Sequence, residues 1–465
     1  MRRVPLVAAV LAAQFLGLVD GLIVSIGVPA MSADGVLDAD DAHWVLNAYS
    51  VAFAGLLPLG GKSADLWGRR RVFLTGQALL LAGSLLGALA TTPAMLLGAR
   101  VVQAVGAGIS TPAGIAQLAD SFPHSRERSR VFGLLTMGGG AGWVSAGLLG
   151  GLLVAYLGWP SVFWVNVPIC LLAITLALLA FPRRPAGTTS ATMDWKGAVL
   201  LVAALALFVH TAGQVGRAGP LSLPTLAGAT VAALLAVAFA VATRRAREPL
   251  LRLALLRRGG VPVAAVLGLA LPVGFVSTQF LGSLYLQQVL DLSADHAGYV
   301  FLALASMPLL ATPLASAKFQ EFGFARSVGA GFALAAAGLG MIVAAVLAGP
   351  PLPLVIAGFV CVGVGVTMVY VPLTVASVAG IDEADNGSAT SIFSTSHQIG
   401  GSIALAVLSS VALAAGGLHS ARGLAAGFAT AGGLLTLAAL GALLLLRRLD
   451  ATQEDQECQE STTTA

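Results

Sequence analysis

The chain has 465 residues, of which 57% are hydrophobic and 10% are charged, and its mean hydropathy is +0.90. Soluble domains carry about 25% charged residues, because their surface must be polar enough for water. The composition therefore excludes a soluble enzyme, a nucleic-acid-binding protein and a disordered scaffold as descriptions of the whole chain. It predicts instead an all-α integral membrane protein, in which the net charge of +4 matters less than where the charges lie.

Long apolar runs divide the chain into predicted transmembrane helices. A spanning helix needs about 20 predominantly apolar residues, and fourteen such runs are separated by charge clusters or by Pro/Gly turns. The predicted spans are 5–30, 43–61, 71–91, 94–119, 130–156, 160–181, 195–214, 221–243, 261–287, 297–316, 326–348, 352–379, 385–414 and 421–447. The loops between them are too short for a soluble domain of ordinary size.

The distribution of positive charge predicts the orientation of these spans. All but three of the 25 Lys and Arg residues fall at the termini or in loops after even-numbered spans; the exceptions are Arg100, Arg217 and Arg422. The opposite loops carry the acids Asp34, Asp38, Asp40, Asp41, Asp291 and Asp295. Because Lys and Arg accumulate on the cytoplasmic side, we expect a multi-pass protein of the plasma membrane with both termini in the cytoplasm.

Breaks in composition divide the spans into groups. The polar segment 183–194 follows the sixth span, and a basic segment precedes the ninth. Residues 1–182 are thus predicted to form an N-terminal six-helix bundle, and residues 183–258 a linker, two extra helices and a cytoplasmic loop. Residues 259–449 are predicted to form a C-terminal six-helix bundle. The acidic, Ser/Thr-rich segment 450–465 is expected to be a disordered cytoplasmic tail.

Two charged residues are predicted to lie well inside the membrane. Placing an ion there costs about 2.5–3.5 kcal/mol on insertion scales, so Asp20 and Arg100 require an explanation. Asp20 is either half of a structural ion pair or a carboxyl group that binds and releases a proton. Arg100 remains protonated, and is expected to modulate a proton site or to hold carbonyl groups.

Polar residues at helical spacing mark two further spans. The thirteenth span carries Ser388, Ser391, Thr395, Gln398 and Ser402, and the ninth carries Gln279, Ser283 and Gln287. In lipid such residues must face protein or water, so they either bond neighbouring helices or line a substrate path. Candidates for that path are Gln14, Gln103, Gln279, Ser283, Gln287, Ser391, Thr395 and Gln398.

The loop after the second span has the sequence "GGKSADLWGRRR" (60–71). By itself it is typical of a cytoplasmic basic loop. However, the spacing of Gly61, Asp65, Gly68, Arg69 and Arg70 resembles the signature loop of the major facilitator superfamily. The resemblance implies that these five residues form a conformational latch.

Other motifs extend this resemblance to the 14-span drug:proton antiporters. "LVDGLIVSIGVP" (18–29) and "LGARVVQAVGAG" (97–108) resemble motifs of their first and fourth spans, with Ala104 in place of a glycine. "AGLLGG" (146–151) resembles their fifth-span antiporter motif, but Ala146 and Gly147 replace its leading glycine and its proline. "WPSVFWVNVP", "DWKG" and "YLQQVLDLSADHAG" match further landmarks, and "AKFQEFGFAR" (317–326) is a degenerate second signature loop.

The resemblance implies two six-helix major facilitator bundles with two extra helices between them, which rock around a site near the bilayer midplane. It further implies proton-coupled export of small amphipathic drugs or antibiotics. The altered fifth-span motif leaves a proton symporter or uniporter for a small nutrient as an alternative, and a polytopic membrane sensor or enzyme as a more distant one.

Few other partners are expected. The sequence has no P-loop, no acid/base pair and no nucleophile triad, so catalysis is not predicted. Cys170, Cys361 and Cys458 lack the spacing of metal ligands. The predicted partners are a small-molecule substrate, protons and the lipid bilayer, with no cofactor, metal or nucleic acid.

Overall fold

The structure is a computed structural model of the chain. It describes residues 3–37, 43–122, 125–182, 194–219, 221–246, 253–349, 352–381 and 386–447, which contain helices and no strand. The apolar runs fold as helices because, in lipid, a helix satisfies its backbone N–H and C=O groups within one segment. The all-α prediction is confirmed for this part of the chain, and the predicted tail 450–465 lies outside it.

The first six predicted spans form seven helices. They are α1 (Arg3–Ala33), α2 (His43–Trp67), α3 (Arg69–Ala88), α4 (Pro93–Ser121), α5 (Ser125–Leu157), α6 (Ser161–Trp164) and α7 (Asn166–Ala180). The Thr92 side chain caps α4 by accepting a hydrogen bond from the backbone N–H of Met95. The sixth predicted span is interrupted between α6 and α7, because Pro168 has no N–H to donate to the carbonyl group of Trp164.

The remaining predicted spans form α8 (Trp195–Ala218), α9 (Leu223–Arg245), α10 (Val261–Leu284), α11 (Ala294–Ala305), α12 (Met307–Ala348), α13 (Leu352–Ala376), α14 (Asn386–Ala414) and α15 (Ala421–Leu445). A short 3-10 helix (Leu253–Arg257) precedes α10, and a π-helical turn (Tyr285–Val289) extends it. The 42-residue α12 is broken at Gly323, whose φ of 74° is left-handed. The tenth predicted span therefore comprises α11 and the first part of α12.

Ten helices of the described residues are long and apolar enough to cross a membrane. Residues Ala294–Ala348 count as one of these ten, although two of the predicted spans lie within them. The segments Arg3–Gly17, Ile23–Ala33, Trp44–Leu57 and Ser145–Leu157 are apolar but shorter. Every predicted run contains helix, but the number of fourteen spans stays a prediction.

The helices pack into an N-terminal group (α1–α7) and a C-terminal group (α10–α15). In the N-terminal group α3 and α4 approach so closely that a Cβ on Gly106 would lie 2.5 Å from the carbonyl oxygen of Gly76. In the C-terminal group a Cβ on Gly365 would lie 2.5 Å from the carbonyl oxygen of Gly331, between α12 and α13. Small residues allow such close packing of helices, and the two groups repeat it. The exact boundaries at 182 and 259 stay predictions.

The helical hairpin α8–α9 packs against both groups. The Trp44 ring of α2 lies 5.9 Å from the His210 ring of α8, measured between centroids. On the other side, the Ser410 hydroxyl of α14 donates a hydrogen bond to the backbone carbonyl of Ala212 in α8. The hairpin therefore lies where α2 and α14 meet.

Candidate functional site

The two charges predicted inside the membrane form one buried ion pair. Asp20 of α1 and Arg100 of α4 are both 0% exposed, and Arg100 Nη1 lies 2.7 Å from Asp20 Oδ2. They are the only charged side chains buried within the described residues. Since each ion offsets the desolvation cost of the other, the helices can bury both.

Two side-chain amides complete the coordination of the Asp20 carboxylate. Its Oδ1 atom accepts hydrogen bonds from Gln103 Nε2 at 3.0 Å and from Asn166 Nδ2 at 2.5 Å. With the bond from Arg100, the carboxylate accepts three hydrogen bonds. Gln103, a candidate for the substrate path, therefore lies at the predicted proton site.

Sequence reasoning missed Asn166. The sequence feature that could have identified it is a single amide in the apolar segment "WVNVP", two positions before the proline that interrupts the sixth span. Nothing local connects this residue to Asp20, which lies 146 positions earlier. The contact arises because α7 packs against both α1 and α3.

Arg100 contacts more than the carboxylate. Its Nη1 also donates to Gln103 Oε1 at 2.8 Å, and its Nε donates to the backbone carbonyl of Val45 at 3.1 Å. The guanidinium carbon lies 4.4 Å from the centre of the Tyr49 ring, a cation–π distance. Arg100 thus faces the Asp20 carboxylate and also binds a backbone carbonyl group, and its part in proton coupling stays a prediction.

Ser84 joins α3 to the same network. Its hydroxyl oxygen accepts hydrogen bonds from Gln103 Nε2 at 2.9 Å and Asn166 Nδ2 at 3.3 Å, and donates to the Leu80 carbonyl at 2.8 Å. Five helices, α1 to α4 and α7, therefore meet at one carboxylate. Protonation would neutralise that carboxylate and leave Arg100 without its counter-charge, so a single proton changes the electrostatics of the whole N-terminal group.

Two other candidates bridge the two helical groups. The Ser283 hydroxyl of α10 donates to the Ser25 carbonyl of α1 at 3.1 Å, and Gln287 Nε2 donates to the Ile26 carbonyl at 3.4 Å. Gln287 Nε2 also donates to Ser283 Oγ at 2.9 Å. These residues therefore close the interface between the groups toward the C-terminal end of α1.

Close backbone packing marks the same end of the interface. A Cβ on Gly298 of α11 would lie 3.0 Å from the Cα of Gly151 in α5. Gly151 belongs to the fifth-span motif singled out in the sequence. The small residues of that motif thus pack the N-terminal group against the C-terminal group.

Five path candidates remain, and the structure describes the side chains of four of them. No hydrogen bond within the described residues joins Gln14, Gln279, Thr395 or Gln398 to the Asp20 network, although Gln279 and Thr395 are buried. The side chain of Ser391 lies outside the described residues. These five residues stay candidates for a substrate path.

The predicted latch contacts the ends of α4 and α7. Gly68, with a φ of 87°, turns the chain between α2 and α3, and a Cβ on Gly61 would lie 3.9 Å from Pro112 Cβ in α4. Arg69 Nη1 donates to the Ala116 carbonyl at 2.9 Å and forms an ion pair with Asp120, while Arg70 donates to the Leu178 carbonyl at 3.1 Å. The side chain of Asp65 lies outside the described residues.

The described part of the chain contains no group of three or more His, Cys, Asp or Glu side chains that could hold a metal ion.

The sequence matches a known family over most of its length. Residues 10–405 match the sequence model of the Major Facilitator Superfamily. The chain is 34% identical to the cephamycin export protein CmcT of Amycolatopsis lactamdurans, over 86% of this chain and 83% of that protein. It is 32% identical to the puromycin resistance protein pur8 of Streptomyces alboniger, over 87% and 81%. It is also 32% identical to a multidrug resistance protein B homolog of Mycobacterium tuberculosis, over 84% and 73%.

Solved structures share the fold. The crystal structure of an auto-inhibited POT family peptide transporter superposes with a TM-score of 0.71, covering 96% of this chain and 97% of that one. The sequence identity is 18%, so the likeness concerns the fold alone.

Proposed function

The chain belongs to the major facilitator superfamily and is a multi-span membrane transporter rather than an enzyme, and from this premise we propose that it exports small amphipathic drugs or antibiotics in exchange for protons. The relatives named for cephamycin export, puromycin resistance and multidrug resistance support this class of substrate. The proposed location is the plasma membrane, with both termini in the cytoplasm, as the distribution of Lys and Arg favours.

The buried Asp20–Arg100 pair is the observation that carries the proton coupling. An acid that is 0% exposed reaches water only when the helices around it move, so its protonation is tied to conformation. When the proton binds, Asp20 becomes neutral and Arg100 loses its counter-ion. Each protonation state then favours a different packing of α1 against α4, which is the thermodynamic requirement for coupling.

Alternating access fits the arrangement of the two helical groups. In the proposed cycle the groups rock about the substrate site, as in other transporters built from repeats. The contacts of Ser283 with Ser25 and of Gly298 with Gly151 close one end of the interface, and must break when that end opens. The proposed fourteen spans include α8 and α9 as an accessory pair.

The energy of one proton is sufficient for export. A proton moving down a potential of 100 mV supplies about 2.3 kcal/mol. A tenfold concentration gradient of a neutral substrate requires about 1.4 kcal/mol. One coupled proton therefore sustains a gradient of more than tenfold.

The test is transport into inverted membrane vesicles with a panel of substrates, with and without an imposed pH gradient. Asp20→Asn removes the titratable group but keeps the shape of the side chain, so gradient-driven accumulation should fall to the background while substrate binding persists. Asp34→Asn, at an exposed acid just beyond α1, is the matched control. Unchanged accumulation in Asp20→Asn would contradict the assignment of the proton site.

Because Ala146 and Gly147 alter the fifth-span motif, proton symport or uniport of a small nutrient remains the second candidate function. The same vesicles distinguish these mechanisms. An antiporter accumulates substrate when the vesicle interior is acid, and a symporter accumulates it when the exterior is acid. A uniporter responds to neither gradient.

A further inference from the structure

The amide of Asn166 uses only one of its two ends. Its Nδ2 donates to Asp20 Oδ1 at 2.5 Å and to Ser84 Oγ at 3.3 Å. Its Oδ1 is buried and has no hydrogen-bond partner within the described part of the chain. A buried carbonyl oxygen without a partner is costly, so its presence beside a charged group calls for a physical reason.

Gln103, the other amide on Asp20, is fixed at both ends. Its Oε1 accepts from Arg100 at 2.8 Å, and its Nε2 donates to Asp20 at 3.0 Å and to Ser84 at 2.9 Å. Turning this amide would place its NH₂ group against the guanidinium and lose that bond. Of the two amides, only that of Asn166 is free to turn without losing a bond to its oxygen.

Few ionisable groups surround Asp20. Arg100 faces it from α4, and Tyr49 of α2 and Cys170 of α7 lie within its electrostatic range. Ser84 is the residue that α3 contributes to the network. The sequence of α5 has ionisable residues only toward its ends, and α10 has none. A change in the hydrogen bonding of Asp20 therefore affects mainly Arg100 and the amides of Gln103 and Asn166.

We propose that Asn166 is a positioning residue that responds to the protonation state of Asp20. The proposal rests on the proton coupling proposed above. When Asp20 is ionised, Asn166 donates its N–H to Oδ1, as in the structure. A hydronium ion then transfers a proton to Asp20: one O–H bond of the hydronium breaks, one O–H bond forms on the carboxylate, which becomes a neutral acid, and a water molecule leaves. The amide turns by half a revolution about its Cβ–Cγ bond, so that its unpaired Oδ1 accepts the new O–H.

This turn stabilises both states of the site. Without it, the Asn166 N–H would face the O–H of the neutral acid, and two donors would oppose each other. With it, the protonated acid keeps a partner while Arg100 is released from its ion pair. Asn166 therefore makes it possible for Asp20 to hold a proton in a site that excludes water.

Infrared titration of the full chain, purified and reconstituted in lipid, tests this role without any transport measurement. The infrared band of the protonated Asp20 carboxyl group, called the acid band here, is identified by its absence from the spectrum of Asp20→Asn. In Asn166→Leu the ionised carboxylate loses a charge-assisted hydrogen bond and the neutral acid loses a weaker one, so we expect the midpoint of that band to rise by about 1 pH unit. In the wild type a side-chain amide C=O component should titrate together with the acid band, and Asn166→Leu should lack it.

Asn47→Leu is the matched control. Asn47 of α2 is also 0% exposed, and its amide atoms have no partner within the described residues. It is not bonded to Asp20 there, so the midpoint should stay at the wild-type value. Asn166→Ser, which is smaller and retains a group that donates and accepts, provides a second variant if the leucine variant fails to fold. Its midpoint should lie between those of the wild type and Asn166→Leu.

An unchanged midpoint in both Asn166 variants, or a wild type without a titrating amide component, would overturn the proposal. Transport measured in vesicles distinguishes a failure of the role proposed for Asn166 from a failure of the proposed function. If wild-type transport ignores the pH gradient, proton coupling is wrong, and the infrared titration still decides the role of Asn166. If wild-type transport follows the gradient and the Asn166 variants titrate normally, only the role of Asn166 is wrong.

Discussion

Arg100 makes more contacts than any other residue of the Asp20 network: the carboxylate, the Gln103 amide, the Val45 carbonyl and the Tyr49 ring. Since both charges are fully buried, each depends on the other for its stability in the membrane. At the scale of the residue, the site is therefore a charge pair in which Arg100 keeps its bonds to Gln103 and Val45 and its contact with the Tyr49 ring when the carboxylate is neutral.

Removal of one charge should be more harmful than removal of both. Arg100→Gln leaves an ionised Asp20 without a counter-ion, and breaking a buried pair in this way costs about 3–5 kcal/mol. The double variant Asp20→Asn/Arg100→Gln contains no buried charge at this site and should recover most of the lost thermal stability. The measurement is thermal unfolding of purified protein in detergent.

Arg422→Gln, at an exposed arginine at the start of α15, is the control and should unfold as the wild type does. A double variant that is no more stable than Arg100→Gln would show that the two charges do not compensate each other.

The turn between α2 and α3 is the best-defined feature at the scale of the element. Gly68 lies there at a φ of 87°, and Gly323 lies at 74° in the corresponding break of α12. Such values favour glycine, because a Cβ clashes with the backbone in this conformation. The degenerate second signature loop predicted at 317–326 thus contains a turn residue that matches the first.

Arg69 ties this turn to the end of α4 through Asp120 and the Ala116 carbonyl. We expect Arg69→Ala to slow transport about tenfold, since loss of roughly 1.4 kcal/mol from one conformation changes its population by that factor. Substrate affinity should change less, because Arg69 contacts the C-terminal end of α4, whereas Arg100 and Gln103 of the Asp20 network lie in the first half of that helix. Vesicle transport rates and equilibrium substrate binding measure the two effects.

Arg71→Ala removes an exposed arginine of the same turn and is the matched control, with transport near that of the wild type. Loss of affinity at a normal transport rate in Arg69→Ala would argue against a latch.

At the scale of the whole molecule, the hairpin α8–α9 and the glycine contacts of α5 with α11 join the two helical groups that move relative to each other in the proposed cycle. The interior of these groups contains little charge. Asp20 is the only buried acid of the described residues, and Arg100 already neutralises it. The pair has no net charge when Asp20 is ionised and a positive charge when it is protonated.

This charge balance predicts the charge of the preferred substrates. A dication in a medium of low dielectric constant needs counter-charge, and the described interior offers none beyond Asp20. We therefore expect neutral, monocationic or weakly acidic compounds to be preferred over dications. Competition in vesicles between monovalent and divalent members of one dye series measures this preference. Equal or better transport of the divalent member would show that another acid reaches the substrate.

The sequence by itself determined the membrane class, the helical runs, the turn at Gly68 and the two interior charges. Each of these follows from local properties: the length of an apolar run, the absence of a Cβ, or the cost of a charge in lipid. The same local rules led to the family, since its motifs are short and contiguous. They did not give the number of helices, because the sixth predicted span is interrupted before Pro168 and the tenth at Ser306.

Only the tertiary structure decided how the polar residues combine. It placed Gln103 and Asn166 on Asp20, Ser283 and Gln287 at the interface between the two groups, and Ser410 of α14 against α8. These partners are separated from one another by 83 to 261 positions in the chain. The spacing of residues within one helix determines which side chains share a face. Which helix that face contacts depends on the packing of all the other helices.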